Sequence, residues 1–497
     1  MNTEFMFQVL SWSVTLLVFL LGCGLIWLMV IYIIDVTQTK QTIRRNFPVI
    51  GRFRYVFEHM GEFFRQYFFA MDREELPFNR AERSWVYRAA KNVDSTIAFG
   101  STRSLTPAGE VIFLNCPFPT LTEDSALPRT IVIGENYAKT PYATSSLFNI
   151  SGMSFGALSK QAVLALSKGA KAAGAWMNTG EGGLSPYHLE GGADIVFQIG
   201  TAKYGVRDEQ GNLCHAKLRE LSKLEQVKMF EIKMSQGAKP GKGGILPGKK
   251  VTAEIAKIRG IKEGEDSISP NGHPDITNVG ELLDMIHLVR ELTGKPVGFK
   301  MVLGKEAFID MMFSEIHSRG LEYAPDFITV DSADGGTGAA PQSLMDYMGL
   351  QLKESVPFIV DKLIEFKLRE RTKVICSGKL ITPSGVAWAL ALGADFVTSA
   401  RGPMFALGCI QALQCNKNTC PTGITTQDPK FQKGLNPEEK CVRVANYIRN
   451  MVYEVGTIAH SCGVKEPREL KRHHARVVRQ DGRSISLDQV YPAPAPK

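Results

Sequence analysis

Eight short apolar runs recur along the chain, and nearly every one leads directly into a loop rich in glycine and polar residues. The runs are LFNI (147–150), AWMN (175–178), DIVFQI (194–199), MFEIKM (229–234), VGFKMV (297–302), DFITVD (326–331), KVICSG (373–378) and DFVTSA (395–400). Their length suits buried strands. Helical patterns lie between most of them, such as 159–174 and 383–393. Alternating strands and helices signal an α/β fold, and eight such units predict a (β/α)8 TIM barrel. The spacing is uneven, so insertions are expected, chiefly at 250–294. No repeat of fixed period is present.

SGMSFGALS follows the first run, NTGEGG the second, GTAKYG the third and SQGAKPGKGG the fourth. Lys300 lies inside the fifth; SADGGTGAAP follows the sixth, a Gly-Lys pair the seventh and RGPM the eighth. In a barrel these loops meet at the C-terminal rim, where active sites of this fold are built. One such loop is an ordinary turn; eight in register with eight strands predict a site. The seventh and eighth loops are the usual phosphate cradle, which points to Gly378 and Gly402.

The N-terminal end carries a different signal. Residues 7–34 contain no charge, long enough for a bilayer crossing of about 20 residues. Between Lys40 and Arg54 there are five basic residues and no acidic one, and no Lys or Arg precedes the span. The positive-inside rule then predicts a single-pass anchor in the inner (cytoplasmic) membrane, with the catalytic domain cytoplasmic. A secretory signal fits less well, lacking a basic leading region. The basic run is expected to meet anionic lipid rather than nucleic acid. The expected organisation is a transmembrane helix at 7–34, a basic and aromatic juxtamembrane segment at 35–95, the barrel at 96–480 and a tail at 481–497. With 44% hydrophobic and 22% charged residues the rest reads as globular, which excludes a disordered or multi-span chain.

Nine cysteines are too sparse for a disulfide scaffold. Three of them, Cys409, Cys415 and Cys420, follow the eighth run in the pattern C-x5-C-x4-C-P. Three soft ligands on one segment suit an iron–sulfur cluster. Zinc knuckles of the C-x2-C type are missing there. Three ligands leave one cubane corner empty, so a [3Fe-4S] cluster is the natural expectation; three buried free thiols are the alternative.

SGMSFGALS, NTGEGG, QGAKPGKGG, DGGTGAAP and the cysteine run occur in the order found in the FMN-binding synthase domain of glutamate synthases, and residues 140–430 resemble that family. The resemblance implies a (β/α)8 barrel with one FMN and one [3Fe-4S] cluster. It also implies 2-oxoglutarate as substrate, with 2-iminoglutarate reduced to L-glutamate. By the same resemblance Lys300 lies beside the flavin ring and Gln198 faces it. Gly152, Met153 and Ser154 line the ring, and Gly335, Gly336, Gly378 and Gly402 meet ribityl and phosphate. Gln236, Lys239 and Arg259 match positions holding the substrate carboxylates. Glu181 matches a carboxylate near the substrate, so Lys300, Glu181 and Lys239 are the expected catalytic residues. The alternative for Arg259 or Lys233 taken alone is a solvated charge at a helix or strand end.

The chain also departs from that pattern. Full-length relatives begin their glutaminase domain with a nucleophilic cysteine, whereas Met1 is followed here by Asn2 and an apolar span. Lys242 and Ile245 stand where GEGGQLPG is usual, and SPNGHPDI replaces SPPPHHDI while keeping His273. No GxGxxG follows a strand, so an internal NAD(P) site is not expected. The expected partners are therefore 2-oxoglutarate, ammonia or another amine, an electron-donor protein (ferredoxin or an NAD(P)H-oxidising subunit), membrane lipid and a separate amidotransferase. Two alternatives remain: a related enzyme using another amine, as in N-methylglutamate formation, and a non-catalytic membrane-tethered scaffold.

Overall fold

The computed structural model describes residues 3–494, apart from the side chains of residues 62 and 63. The chain divides into two compact units, Met1–Ala81 and Glu82–Lys497. The division falls inside the segment 35–95 that the sequence marks as juxtamembrane.

In the larger unit eight strands close into a barrel. They are β1 (Phe148–Ile150), β2 (Trp176–Asn178), β3 (Asp194–Ile199), β4 (Val227–Lys233), β5 (Val297–Met301), β6 (Phe327–Asp331), β7 (Lys373–Ser377) and β8 (Phe396–Ser399). All pair in parallel in chain order, and β8 closes on β1 with Val397 opposite Phe148. The predicted (β/α)8 barrel is the fold observed. Strands covered on both faces read as continuous apolar runs, which made them legible.

The N-terminal end of the barrel is stoppered by a hairpin, Ile131–Ile133 paired antiparallel with Tyr142–Thr144. Ile133 and Tyr142 join Trp176, Val196, Met229, Phe327, Ile375 and Phe396 in one buried cluster. Trp176 and Phe396 meet edge to face with centroids 5.0 Å apart, a favourable aromatic geometry. Apolar side chains fill the inside of that end, while buried ion pairs such as Arg290–Asp326 at 2.9 Å tie the strand starts to the helices outside it.

The helix Lys160–Ala173 after β1 begins where Ser159 Oγ accepts the Ala162 N–H and ends on Gly174 at φ 70°. Its Gly169 lies against the long helix Pro437–Ser461; a Cβ there would sit 2.6 Å from Val444 Cβ. The expected insertion between β4 and β5 holds a small hairpin, Ile245–Leu246 with Ser267–Ile268, and the helix Ala253–Arg259. The segment expected as a tail from 481 instead carries a strand, Ser484–Ser486. It pairs with Ala475–Val478, which in turn pairs with Val111–Phe113.

The smaller unit begins with the helix Thr3–Thr37, long and apolar enough to cross a membrane by length and composition. A secretory signal meets the same description. Two further helices follow, Thr42–Asn46 and Gly51–Phe64, the second continuing as a wider turn through Arg65–Phe69.

Candidate active site

Strand β4 reads VKMFEIK, and a strand's period of two puts Glu231 and Lys233 on the same face. Both are buried inside the barrel. Glu231 accepts hydrogen bonds from Asn178 Nδ2 at 2.8 Å, Gln198 Nε2 at 2.7 Å and Thr329 Oγ1 at 2.6 Å. One carboxylate thus ties together β2, β3, β4 and β6. Since its amide N–H is committed to Glu231, Gln198 keeps its carbonyl oxygen for another partner. Asn178 Oδ1 also accepts the Gly180 N–H, which places the second loop over the floor.

Two cavities open above that floor and share Gly152, Gln198, Gln236 and Arg401 in their walls. The larger encloses about 1010 Å³ with its open mouth, the smaller about 530 Å³. Lys300 and Asp331 form the end of the smaller one, with Lys300 Nζ 3.0 Å from Asp331 Oδ2. Burial disfavours the Lys300 cation, but Asp331 and Glu231 more than offset this and raise its pKa. Gly378, at φ 122°, lies in the same wall with Ser377, Lys379, Ala400 and Arg401. A Cβ on Gly378 would sit 2.5 Å from Ser332 Cβ, so the seventh loop requires glycine there.

The larger cavity is lined by five cations, Lys233, Lys239, Lys250, Arg259 and Arg401, against one carboxylate, Glu181. Glu181 pairs with Lys233 at 2.9 Å. Burial raises the Glu181 pKa, but Lys233, Lys239 and Arg259 outweigh it and hold the group ionised below its usual range. Lys239 is pushed down to about 8, first by burial and then by the Lys233 charge. Arg259 is buried rather than solvated: Nη1 donates to Ser267 Oγ at 3.1 Å and Nη2 to Phe155 O at 3.3 Å, while buried Nε finds no partner among the described residues. Gly182 allows this, since a Cβ there would lie 2.9 Å from Arg259 Nη2. Such a surplus of buried positive charge suits an anion with more than one negative group.

Lys250 connects the cavity to the cysteine segment. Its Nζ donates to Ala157 O at 2.8 Å and Cys415 O at 3.3 Å, and burial lowers its pKa to about 8 against the pull of the Cys415 and Cys420 thiols. Arg401 Nη1 lies 3.7 Å from Cys415 Sγ, and Arg401 Nη2 donates to Thr337 O. Burial lifts the Cys409 thiol to about 11. Burial also works against the Cys420 thiolate, but hydrogen bonds from Thr422 and Thr425 outweigh it and lower that pKa. The charges of Cys415 and Cys420 add to the upward shift of Cys409. Among the described residues no three His, Cys, Asp or Glu side chains group closely enough to hold a metal ion.

Of the residues the sequence singles out, Gly152, Met153, Ser154, Glu181, Gln198, Gln236, Lys239, Arg259, Gly336 and Cys415 line the larger cavity, and Lys300 and Gly378 the smaller. Gly335 and Gly402 lie outside both linings. A Cβ on Gly335 would lie 2.9 Å from Ser332 O, and one on Gly402 would meet the Tyr447 hydroxyl at 2.1 Å. These two glycines serve close packing of chain on chain. Glu231, Lys250 and Arg401 are site residues the sequence reading missed, and Lys233 entered it only as a possible surface charge. Charged residues two apart inside an apolar strand, as in FEIK, were the available signal for β4. His188 was also missed: it is buried, its pKa lowered to about 4 by burial, and its Nε2 hydrogen bonds to Met153 O at 3.1 Å.

A closed parallel barrel with a charged cavity between its rim loops defines the class: a (β/α)8 enzyme domain. Residues 120–465 match the family described as the conserved region in glutamate synthase. The chain is 40% identical over 498 residues to the glutamate synthase large subunit-like protein YerD of Bacillus subtilis (strain 168), covering 93% of this chain and 94% of that one. It is 36% identical to an archaeal glutamate synthase (NADPH) of Methanocaldococcus jannaschii, over 66% of this chain and 61% of that longer one. A glutamate synthase large subunit-like protein of Rhizobium meliloti (strain 1021) is 29% identical over 76% of this chain and 85% of its own length. The chain belongs to the glutamate synthase family, a glutamate-synthase-like oxidoreductase with the synthase barrel as its main body.

Proposed function

We propose that the chain reductively aminates 2-oxoglutarate to L-glutamate by way of 2-iminoglutarate, using FMN and a [3Fe-4S] cluster. The observation that carries this reading is the larger cavity, with five cations against one carboxylate, adjoining the Lys300–Asp331 end of the smaller one. In this reading Arg259 and Lys239, with Gln236, hold the two carboxylates of 2-oxoglutarate. A guanidinium offers a planar fork and an ammonium a point charge, a suitable pair for a dianion. Glu181, kept ionised by Lys233, accepts hydrogen bonds from the incoming amine. Lys239, cationic at neutral pH, is a group able to give a proton as water leaves the substrate carbon.

In this reading the flavin would span the wall that the two cavities share, with Gly152 and Gln198 common to both and Met153 and Ser154 on the larger side. Lys300 would supply a cation for the negative charge of the reduced ring. Gly336 and Gly378, with Ser377, Lys379 and Arg401, offer a small-residue cradle flanked by cations for a phosphate. Cys409, Cys415 and Cys420 are the ligands proposed for the cluster, joined to the cavity through Lys250 and Arg401. When bound, FMN supplies hydride transfer and the cluster relays single electrons from a donor protein. Ammonia is taken free or from a separate amidotransferase. Thr3–Thr37 is read as a single-pass anchor in the cytoplasmic membrane, with the barrel on the cytoplasmic side.

The full chain purified from membranes tests this directly. Bound groups are identified by absorbance, mass spectrometry and EPR, and turnover is followed with 2-oxoglutarate and either ammonia or methylamine. Flavin with iron and glutamate formation support the reading. N-Methylglutamate as the favoured product transfers the amine specificity to the related enzyme, and protein free of flavin and iron refutes both.

A further inference from the structure

The last charged residue of the long N-terminal helix, Asp35, is fully buried although it stands at the helix end. Its carboxylate accepts hydrogen bonds from Arg44 Nη2 at 2.6 Å, Arg52 Nε at 2.8 Å and the Val49 N–H at 3.0 Å. Two of the five basic residues that follow the span are thereby paired inward, and Lys40, Arg45 and Arg54 remain exposed. Arg52 belongs to the helix Gly51–Phe64, so the start of that helix is pinned to the end of Thr3–Thr37. Gly51 tightens the joint, since a Cβ there would lie 2.8 Å from Ile43 O.

The pinned helix carries an apolar stripe that no described residue of its own unit covers. Ile50, Phe53, Phe57, Met60 and Phe64 recur at spacings of three and four, which places them on one side. All are exposed, Ile50 at 73% and Phe57 at 65%. The aromatics meet along the stripe as tilted pairs, Phe53 with Phe57 at 6.4 Å and Phe64 with Phe68 at 5.6 Å. Arg54, Glu58 and Arg65 occupy other faces.

We propose that the helix 51–69 lies in the plane of the bilayer, its aromatic stripe among the acyl chains of the leaflet from which Thr3–Thr37 emerges. The proposal rests on reading Thr3–Thr37 as a membrane span. Three features select lipid as the occupant. The Asp35 joint holds the stripe's first residues at the end of the span. Exposed Lys40, Arg45 and Arg54 flank it with charge complementary to anionic headgroups. Aromatic and aliphatic residues opposite a charged face are the composition of interfacial helices. The unit then grips the membrane twice, through a crossing and an in-plane helix joined by one buried carboxylate.

The test uses the full chain in vesicles of equal parts phosphatidylcholine and phosphatidylglycerol, with p-benzoylphenylalanine placed singly at Leu16, Phe57 or Glu58. After irradiation, mass spectrometry identifies what each position has captured. Lipid adducts at 16 and 57 and their loss at 58 support the proposal. Lipid at 16 but none at 57, or protein captured at 57, overturns it while leaving the span intact. Absence of lipid at 16 overturns the span and the proposal with it. Equal lipid capture at 57 and 58 also overturns it, because a helix lying in the interface exposes only one face to acyl chains.

Discussion

Lys239 offers the sharpest test of the dianion reading, because its charge changes in an accessible pH range. Its pKa of about 8 places it mostly protonated at neutral pH and mostly neutral one unit above: roughly 90% cation at pH 7 and roughly 10% at pH 9. 2-Oxoglutarate stays a dianion throughout that range, and burial lowers the pKa of His188 and His273 to about 4, so neither titrates there. Only the cationic form offers a charge-assisted bond, so affinity is full below pH 8 and lost as pH rises through it. The dissociation constant should therefore weaken about tenfold between pH 7 and pH 9. A desolvated charge pair is worth about 2–5 kcal/mol, and this coupling raises the Lys239 pKa in the complex. The decline should then level off only above about pH 9.5. Lys239→Gln should bind at least about thirtyfold more weakly at pH 7 and lose the slope. Isothermal titration calorimetry of 2-oxoglutarate into the full chain measures both. A dissociation constant flat from pH 7 to 9.5, or a slope that survives in Lys239→Gln, would remove Lys239 from the carboxylate site. A surviving slope would move the titration to Lys250, the other lysine near 8 that lines this cavity.

Cys415→Ser should lower iron content and the cluster EPR signal while leaving most flavin in place, and unchanged iron would refute the three-cysteine assignment. Lys300→Met removes a cation from the floor of the smaller cavity. The flavin potential should fall by about 30–60 mV on spectroelectrochemical titration, with 2-oxoglutarate affinity changing far less. Glu231→Gln puts an amide N–H where three donors converge, so denaturant unfolding should report a loss of about 1–3 kcal/mol; an unchanged midpoint would mean the floor network carries no stability. A phosphatase fused after Lys497 should stay inactive and a cytoplasmic reporter active, since the basic residues follow the span; the reverse pattern would invert the topology.

The barrel was legible in the sequence because parallel strands buried on both faces are near-continuous apolar runs and the intervening helices carry their own period. The rim was legible because its loops break that pattern with glycine at every strand end, and the family motifs fall on those same loops. What each charge does at the rim was settled by closure of the barrel. Arg259, indistinguishable in sequence from a solvated helix residue, is buried because the helix Ala253–Arg259 turns it under the first and second loops. Glu231 and Lys233 acquire their partners from strands and loops far away in sequence, and no local pattern encodes which carboxylate meets which donor. Gly335 and Gly402 resemble the cradle glycines in composition, yet their missing side chains make room for Ser332 O and Tyr447. Asp35 reads as the stop at the end of an apolar run, but folding buries it beneath Arg44 and Arg52. Periodicity and composition determined the elements and the location of the site. The long-range contacts that decide burial, and through burial the charge of each group, exist only in the tertiary structure.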